Sequence, residues 1–433
     1  MKRFLLLSLL WLAVLSCISL NAQSLPEKLQ SIGIDSITPL KINNTQFESA
    51  WVIYLSQPVD HQNSALGNFY QRLILRHNSF DKPLVLVTEG YSAEYGLYPN
   101  LTEELSTRLD ANLLIAEHRF FGESMPPNKN WEALNLKNAT ADLHAINQLF
   151  KQLYPAAWIS TGISKGGQTT IYYRYFYPDD VAVSVPYVAP LNFSVADKRV
   201  QHFLDTVADA QCRKKLHDVQ YKLLDNRDLY MQHFKDSTAK RALSFERVGG
   251  LEKAFELNVL ELGFAYWQWY PTPCAEIPDT TASTKELFNF WISAAGYDFF
   301  ADQSLESMQS FFYQALTEMG FYTYDTKPFK HLLNSVKKPN FNHALPEGTA
   351  ARYHKKLNKK VNKWLQKEGN NIIYIYGAYD AWASTAVMPS EKTNAIKLLR
   401  SGGSHATRLR HFEPEQQQLV IDFIEKQIHL NSL

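Results

Sequence analysis

The run Trp158-Ile159-Ser160-Thr161-Gly162-Ile163-Ser164-Lys165-Gly166-Gly167 constrains this chain more than any other stretch. In it, an apolar segment of strand character ends in Gly-x-Ser-x-Gly and a helix-compatible segment follows. A serine placed this way sits at the apex of a sharp strand-to-helix turn, the nucleophile elbow, where strained backbone lifts the hydroxyl clear. Gly162 and Gly166 keep side chains out of the space where neighbouring backbone crowds that turn. Residues 168–177 suit the helix, and Pro178 stops it.

The 433 residues, 45% hydrophobic and 20% charged, fit one large globular domain with an insertion, or two domains. Lys plus Arg number 44 against 43 for Asp plus Glu, which gives no broad basic surface and no case for a nucleic-acid partner. Residues 1–22 read as a signal peptide. Lys2 and Arg3 precede an apolar run from Phe4 to Leu15, and Leu20-Asn21-Ala22 offers a cleavage site before Gln23. This predicts export, periplasmic or extracellular, with no transmembrane segment once the leader is removed. A lipoprotein anchored at Cys17 is the minor alternative, opposed by the bulky Leu15. Cys212 and Cys274 remain; an oxidising compartment permits them to pair, and two free buried thiols are the other reading.

After the leader, residues 51–55 and 69–76 read as an antiparallel pair of strands. Residues 83–88 and 112–116 are short continuous apolar runs, as in strands buried on both faces. Helical patterns at 101–109, with Thr102 as a possible cap, and at 139–153 alternate with these strands and with the elbow strand; 181–188 is the next strand. Such alternation builds a parallel sheet flanked by helices. From residue 191 the rhythm changes to long helical patterns (195–234, 251–270, 306–319), a Pro- and Asn-rich connector and a basic helix at 353–367. The predicted fold is α/β, an α/β-hydrolase fold formed by residues 23–190 and 370–433, with an inserted helical cap at 191–369.

The sheet resumes at Asn371-Ile372-Ile373-Tyr374-Ile375-Tyr376-Gly377-Ala378-Tyr379-Asp380, where a buried strand ends in a turn carrying an acid. The apolar residues 395–399 then lead to Gly402-Gly403-Ser404-His405, and residues 414–428 form a final helix. The order Ser, Asp, His is that of an α/β-hydrolase triad. Ser164 is the expected nucleophile, His405 the base that takes its proton and returns it to the leaving group, and Asp380 the acid that orients the imidazole. The N–H groups of Lys165 and of Tyr91, on the Gly90-Tyr91 loop, are expected to face the developing oxyanion. His411 is the rival base, and Asp422 reads as a surface residue of the last helix. The thirteen histidines show no His-Glu-x-x-His spacing, so neither a catalytic metal nor a cofactor is expected.

Gln57-Pro58-Val59-Asp60-His61, Glu117-His118-Arg119-Phe120-Phe121-Gly122-Glu123-Ser124, Thr161-Gly162-Ile163-Ser164-Lys165-Gly166-Gly167 and Tyr177-Pro178-Asp179-Asp180-Val181 together resemble the secreted serine tripeptidyl aminopeptidases, the PS-10 peptidases. That family is related to the prolyl carboxypeptidases and dipeptidyl peptidase II. The resemblance spans residues 51–411, and Lys165 after the serine tilts it toward the tripeptidyl group. It implies the same three catalytic positions, a peptide substrate and a buried ion pair between Glu117 and Arg119. The implied reaction releases short N-terminal fragments through an acyl-enzyme, with the cap walling off long chains. Reading a free amino terminus needs a carboxylate near Ser164, for which Glu123 and Glu261 are candidates, with Trp267 among the aromatic residues roofing the pocket. A prolyl-type dipeptidyl peptidase or carboxypeptidase, a lipase or esterase on the same triad, and a non-enzymatic surface binding protein are the alternatives.

Overall fold

The computed structural model describes residues 23–34, 36–270 and 272–430. The leader read at residues 1–22, with Cys17, lies outside the described residues. Strands β1 (Ile37–Pro39), β2 (Ser49–Pro58), β3 (Asn68–His77), β4 (Leu84–Thr88), β5 (Asn112–Ala116), β6 (Trp158–Ile163), β7 (Val183–Tyr187), β8 (Ile373–Gly377) and β9 (Ile396–Arg400) form one sheet. Their order is β1-β2-β3-β5-β4-β6-β7-β8-β9. The β1, β2 and β3 pairings, and that of β3 with β5, are antiparallel. From β5 to β9 every pairing is parallel. The sequence reading anticipated β2 and β3 but not β1, whose Ile-Thr-Pro is too short to carry a period.

The buried strands show why continuous apolar runs belong in the middle of such a sheet. On β4, Leu84 and Leu86 pack into a core on one face while Val85 and Val87 pack into a core on the other. The first face is covered by α3 (Leu136–Phe150), through Leu143, Ile146 and Phe150. The second is covered by α13 (Pro414–Leu430), through Val420, Ile421 and Ile424. Two further helices precede the elbow, α1 (Leu25–Ser31) and α2 (Glu104–Arg108). Glu103, rather than Thr102, caps α2, its carboxylate accepting from the Leu105 and Ser106 N–H groups.

Helix α4 (Lys165–Phe176) leaves the elbow. Between β7 and β8 lie α5 (Lys198–Thr206), α6 (Ala210–Asp225), α7 (Arg227–Ala239), α8 (Leu251–Trp269), α9 (Thr284–Ala295), α10 (Asp302–Ser307), α11 (Gln309–Gln314) and α12 (Leu357–Leu365). The long pattern read at 195–234 is therefore three helices. It breaks where Ala208 takes φ 51° and Asp209 caps α6 by accepting from the Cys212 N–H, and again at Asn226. The 306–319 pattern likewise divides into α10, α11 and a π-helical turn, Ala315–Met319, that ends at Gly320. Helix α12 packs on α4, where the Tyr172 hydroxyl donates to Asn358 Oδ1 at 2.9 Å and Tyr175 meets Trp364 edge-on. Among the described residues no helix is long and apolar enough to cross a membrane.

Cys212 on α6 and Cys274 are joined by a disulfide across a sequence separation of 62 residues. Closing a loop of that length constrains the unfolded chain, so replacing both cysteines by alanine is expected to lower unfolding free energy by about 2–4 kcal/mol. Urea unfolding of the oxidised protein against the double variant checks this; equal midpoints would show that the bridge does not stabilise the fold.

Candidate active site

The elbow is built as its glycines require. Ser164 has φ 57° and ψ −120°, a strained conformation outside any helix or strand, held by its N–H donating to Tyr187 O at 2.9 Å. A Cβ on Gly162 would lie 2.4 Å from the Gly166 backbone, and one on Gly90 would lie 2.6 Å from Gly166 N. The chain can therefore bring the ends of β4 and β6 together only with glycine at both places. Ser164 is half-buried, at the mouth of the turn.

Asp380 follows β8 and caps the 3-10 turn Ala381–Thr385, one carboxylate oxygen accepting from the Trp382 N–H at 3.0 Å. The other oxygen lies 2.7 Å from His405 Nδ1. Both residues are buried. The two loops are pressed together, since a Cβ on Gly377 would stand 2.4 Å from the carbonyls of Gly403 and Ser404. The pairing of Nδ1 leaves His405 Nε2, which has no hydrogen-bond partner among the described residues. That nitrogen is the one a general base needs. Ser164 and His405 line the same cavity, of about 580 Å³. His411 is otherwise engaged: its Nδ1 accepts from the Arg408 N–H at 3.0 Å. Asp422 is exposed on α13.

Tyr91 and Lys165, the two expected oxyanion donors, line a second cavity with Ser164, of about 490 Å³. Among the described residues neither backbone N–H is taken by an acceptor. The Lys165 side chain is buried and its Nζ donates to Gly90 O at 2.6 Å. Burial holds its pKa well below the ordinary lysine value, partly offset by the nearby Glu89 carboxylate.

The cap closes over both cavities at the end of α8. Gln268 O accepts from the His405 N–H at 2.8 Å, and the Trp269 ring stands edge-on to the His405 imidazole at 5.4 Å. Gln268 and Trp269 line both cavities. Sequence reasoning named Trp267 instead, which is buried against Tyr266, Tyr270 and Tyr379. Positions two apart on a helix lie about 200° apart, so both tryptophans cannot face the cleft. Of the two candidate carboxylates, Glu261 lines the Ser164 cavity, and Glu123 is exposed and lines neither cavity. Glu261 is buried and accepts from the Tyr322 hydroxyl at 2.9 Å and the Tyr324 hydroxyl at 2.6 Å. Burial pushes its pKa up to about 7 despite those two donors. Tyr322 and Tyr324 were missed; the signal was the aromatic run Phe321-Tyr322-Thr323-Tyr324 directly after Gly320.

The expected Glu117 to Arg119 ion pair is not formed. The two side chains, two residues apart in the segment after β5, go to different partners. Glu117 pairs with Arg72 and accepts from the Ala93, Glu123 and Ser124 N–H groups. Arg119 makes a bidentate pair with Asp142 at 2.6 and 2.7 Å and donates to Val59 O. These two buried clusters tie the loops after β4 and β5 to the scaffold. Among the described residues no cluster of His, Cys, Asp or Glu has the geometry to hold a metal ion.

An elbow serine on a helix-flanked, mostly parallel sheet, with a buried acid and histidine following later strands, is the arrangement of a serine hydrolase of the α/β-hydrolase fold. The chain belongs to the PS-10 peptidase S37 family, whose family model matches residues 22–424. It is 32% identical over 375 residues to the prolyl tri/tetrapeptidyl aminopeptidase of Streptomyces mobaraensis, covering 84% of this chain and 77% of that protein. It is also 26% identical over 188 residues to the lysosomal Pro-X carboxypeptidase of Mus musculus, covering 39% and 38% of the two chains. Among solved structures it is similar to the proline iminopeptidase of Mycobacterium smegmatis, with a TM-score of 0.40 and 12% identity over 91% of this chain and 99% of that one.

Proposed function

We propose that this serine peptidase is an exported aminopeptidase that releases short N-terminal fragments, of the tripeptide type, from peptides. Ser164 attacks the carbonyl, His405 carries the proton, Asp380 orients the imidazole, and the Tyr91 and Lys165 N–H groups receive the oxyanion. The observation that carries the aminopeptidase reading is Glu261. Its buried carboxylate lines the Ser164 cavity and, among the described residues, has no cationic partner. A buried carboxylate held only by two hydroxyls is suited to a substrate ammonium. The cavity on the other side of Ser164 carries Glu89, Glu103 and Glu104 against Arg408 and Arg410, and does not favour a C-terminal carboxylate. Phe264, Phe321, Tyr322 and Trp382 around the Ser164 cavity suit an apolar residue such as proline at the cleaved bond, in keeping with the Streptomyces mobaraensis relative. Export is supported by the leader-like residues 1–22 and by the Cys212 to Cys274 bridge.

The test is a series of peptides of two to five residues, each with a free and with an acetylated amino terminus. Release of tripeptides from free-amine substrates, with blocked ones hydrolysed poorly, is expected; equal rates for the two would remove the aminopeptidase reading, and rapid turnover of acyl esters with no amide hydrolysis would favour an esterase.

The Glu261 carboxyl also sets a pH dependence. Its pKa near 7 leaves it protonated below that pH, so ammonium binding strengthens as pH rises through about 7. Binding weakens again as the peptide α-amine loses its proton near pH 8. Affinity of a free-amine tripeptide for Ser164→Ala, measured calorimetrically, is expected to peak between those values. A flat profile from pH 5 to 9 would contradict the role given to Glu261.

A further inference from the structure

We propose that the Lys165 side chain is a positioning residue for the oxyanion site: by holding the Gly90 carbonyl, it aims the Tyr91 N–H at the oxygen of the tetrahedral intermediate. This rests on the assignment of Ser164 as nucleophile and of Tyr91 as an oxyanion donor, and goes beyond it by giving the lysine side chain a task separate from its backbone.

Lys165 is 1% exposed, yet among the described residues its Nζ has a single hydrogen-bond partner, Gly90 O at 2.6 Å. Around it stand the faces of Phe121 and Tyr91, with centroids 4.9 and 5.6 Å away. Burying an amine in such a place costs desolvation that a methionine of similar shape would avoid. The contact it makes is with the loop that must be held still.

The peptide between Gly90 and Tyr91 is trans, so the Gly90 C=O and the Tyr91 N–H are opposite edges of one rigid plane. A donor that grips the oxygen from the Lys165 side therefore fixes where the N–H points. The clamp is needed because residue 90 must be glycine: a Cβ there would meet Gly166 N at 2.6 Å and Lys165 Cβ at 2.7 Å. Glycine leaves that peptide plane free to flip. A flip would turn the carbonyl oxygen toward the cleft and set its lone pairs against the developing negative charge. Beyond that peptide Tyr91 is anchored by its own carbonyl, which accepts from the His118 N–H at 3.2 Å, and by its ring against Phe121 and Phe311; among the described residues, Lys165 is what holds the Gly90 carbonyl. One residue thus supplies one oxyanion N–H from its backbone and orients the other through its side chain. The lysine takes no part in bond making.

The test is Lys165→Met, compared with the wild type by three constants. Turnover is expected to fall roughly 10²- to 10³-fold, the usual effect of losing one oxyanion donor, with KM changed less than about threefold. The inhibition constant of a peptidyl aldehyde, which forms a tetrahedral adduct on Ser164, is expected to rise by a similar factor. Affinity for an uncleaved tripeptide, measured on Ser164→Ala with and without Lys165→Met, is expected to stay the same. Should Lys165→Met fail to fold, Lys165→Gln, one atom short of the carbonyl, is judged by the same constants. Turnover within threefold of wild type, or a loss of turnover without a matching loss of aldehyde affinity, would overturn the inference. An active Ser164→Ala protein would instead overturn the nucleophile assignment on which it rests.

Discussion

Ser164→Ala is expected to lower kcat by roughly 10⁴- to 10⁶-fold and leave KM nearly unchanged. The hydroxyl is small, half-buried and free of any structural hydrogen bond among the described residues, so its loss removes chemistry and spares the fold. The strain at φ 57° remains in the variant, and so do the Tyr91 and Lys165 N–H groups. Asp380→Asn is expected to cost less, roughly 10⁴-fold, because it leaves the side chain in place but sets the imidazole in the wrong tautomer. The 2.7 Å contact to His405 Nδ1 is what makes that substitution informative. Steady-state kinetics on a chromogenic tripeptide amide, with circular dichroism to confirm folding, measures both. A Ser164→Ala protein that keeps wild-type turnover would show that the elbow serine is not the nucleophile.

Glu261→Gln is expected to lower kcat/KM for free-amine peptides by roughly 30- to 1,000-fold, the effect of about 2–4 kcal/mol for one partner of a buried charge pair. The change is nearly isosteric, and Tyr322 and Tyr324 can still donate to the amide oxygen. Hydrolysis of acetylated peptides is expected to change little, so the preference for a free amino terminus should collapse. Parallel assays of free and acetylated peptides on the two proteins decide the matter. An equal loss on both would mean that Glu261 shapes the cavity and does not bind the amine.

The parts of the molecule legible in the sequence are those governed by local geometry. Gly162, Ser164 and Gly166 announce a turn that only this residue pattern tolerates, and the buried strands before Gly90 and Asp380 are continuous apolar runs, while the strand before His405 is partly exposed. In the structure each of those residues follows the end of its strand, β4, β8 or β9. The cap was harder to read because α8, the helix beside the site, is buried over nearly its whole length. Aromatic density in α8 marks a buried helix but does not say which side looks into a cleft, so Trp267 was named where Trp269 and Gln268 stand beside His405. Glu123 was named as a carboxylate for the free amino terminus, yet it faces solvent while its backbone N–H serves Glu117. The partners of Glu117 and Arg119 could not be read either: Arg72 and Asp142 are remote in sequence, and only the tertiary fold brings them to the two side chains.

Catalysis by this chain requires a covalent intermediate at one position, and mass-spectrometric mapping of the site of adduct formation tests that most directly. The protein, inactivated by a fluorophosphonate or quenched in acid during turnover of a free-amine tripeptide ester, should carry the phosphonyl or tripeptidyl group on Ser164. His405→Ala should form either adduct far more slowly. An adduct on a different residue, or undiminished labelling of Ser164→Ala, would contradict the account.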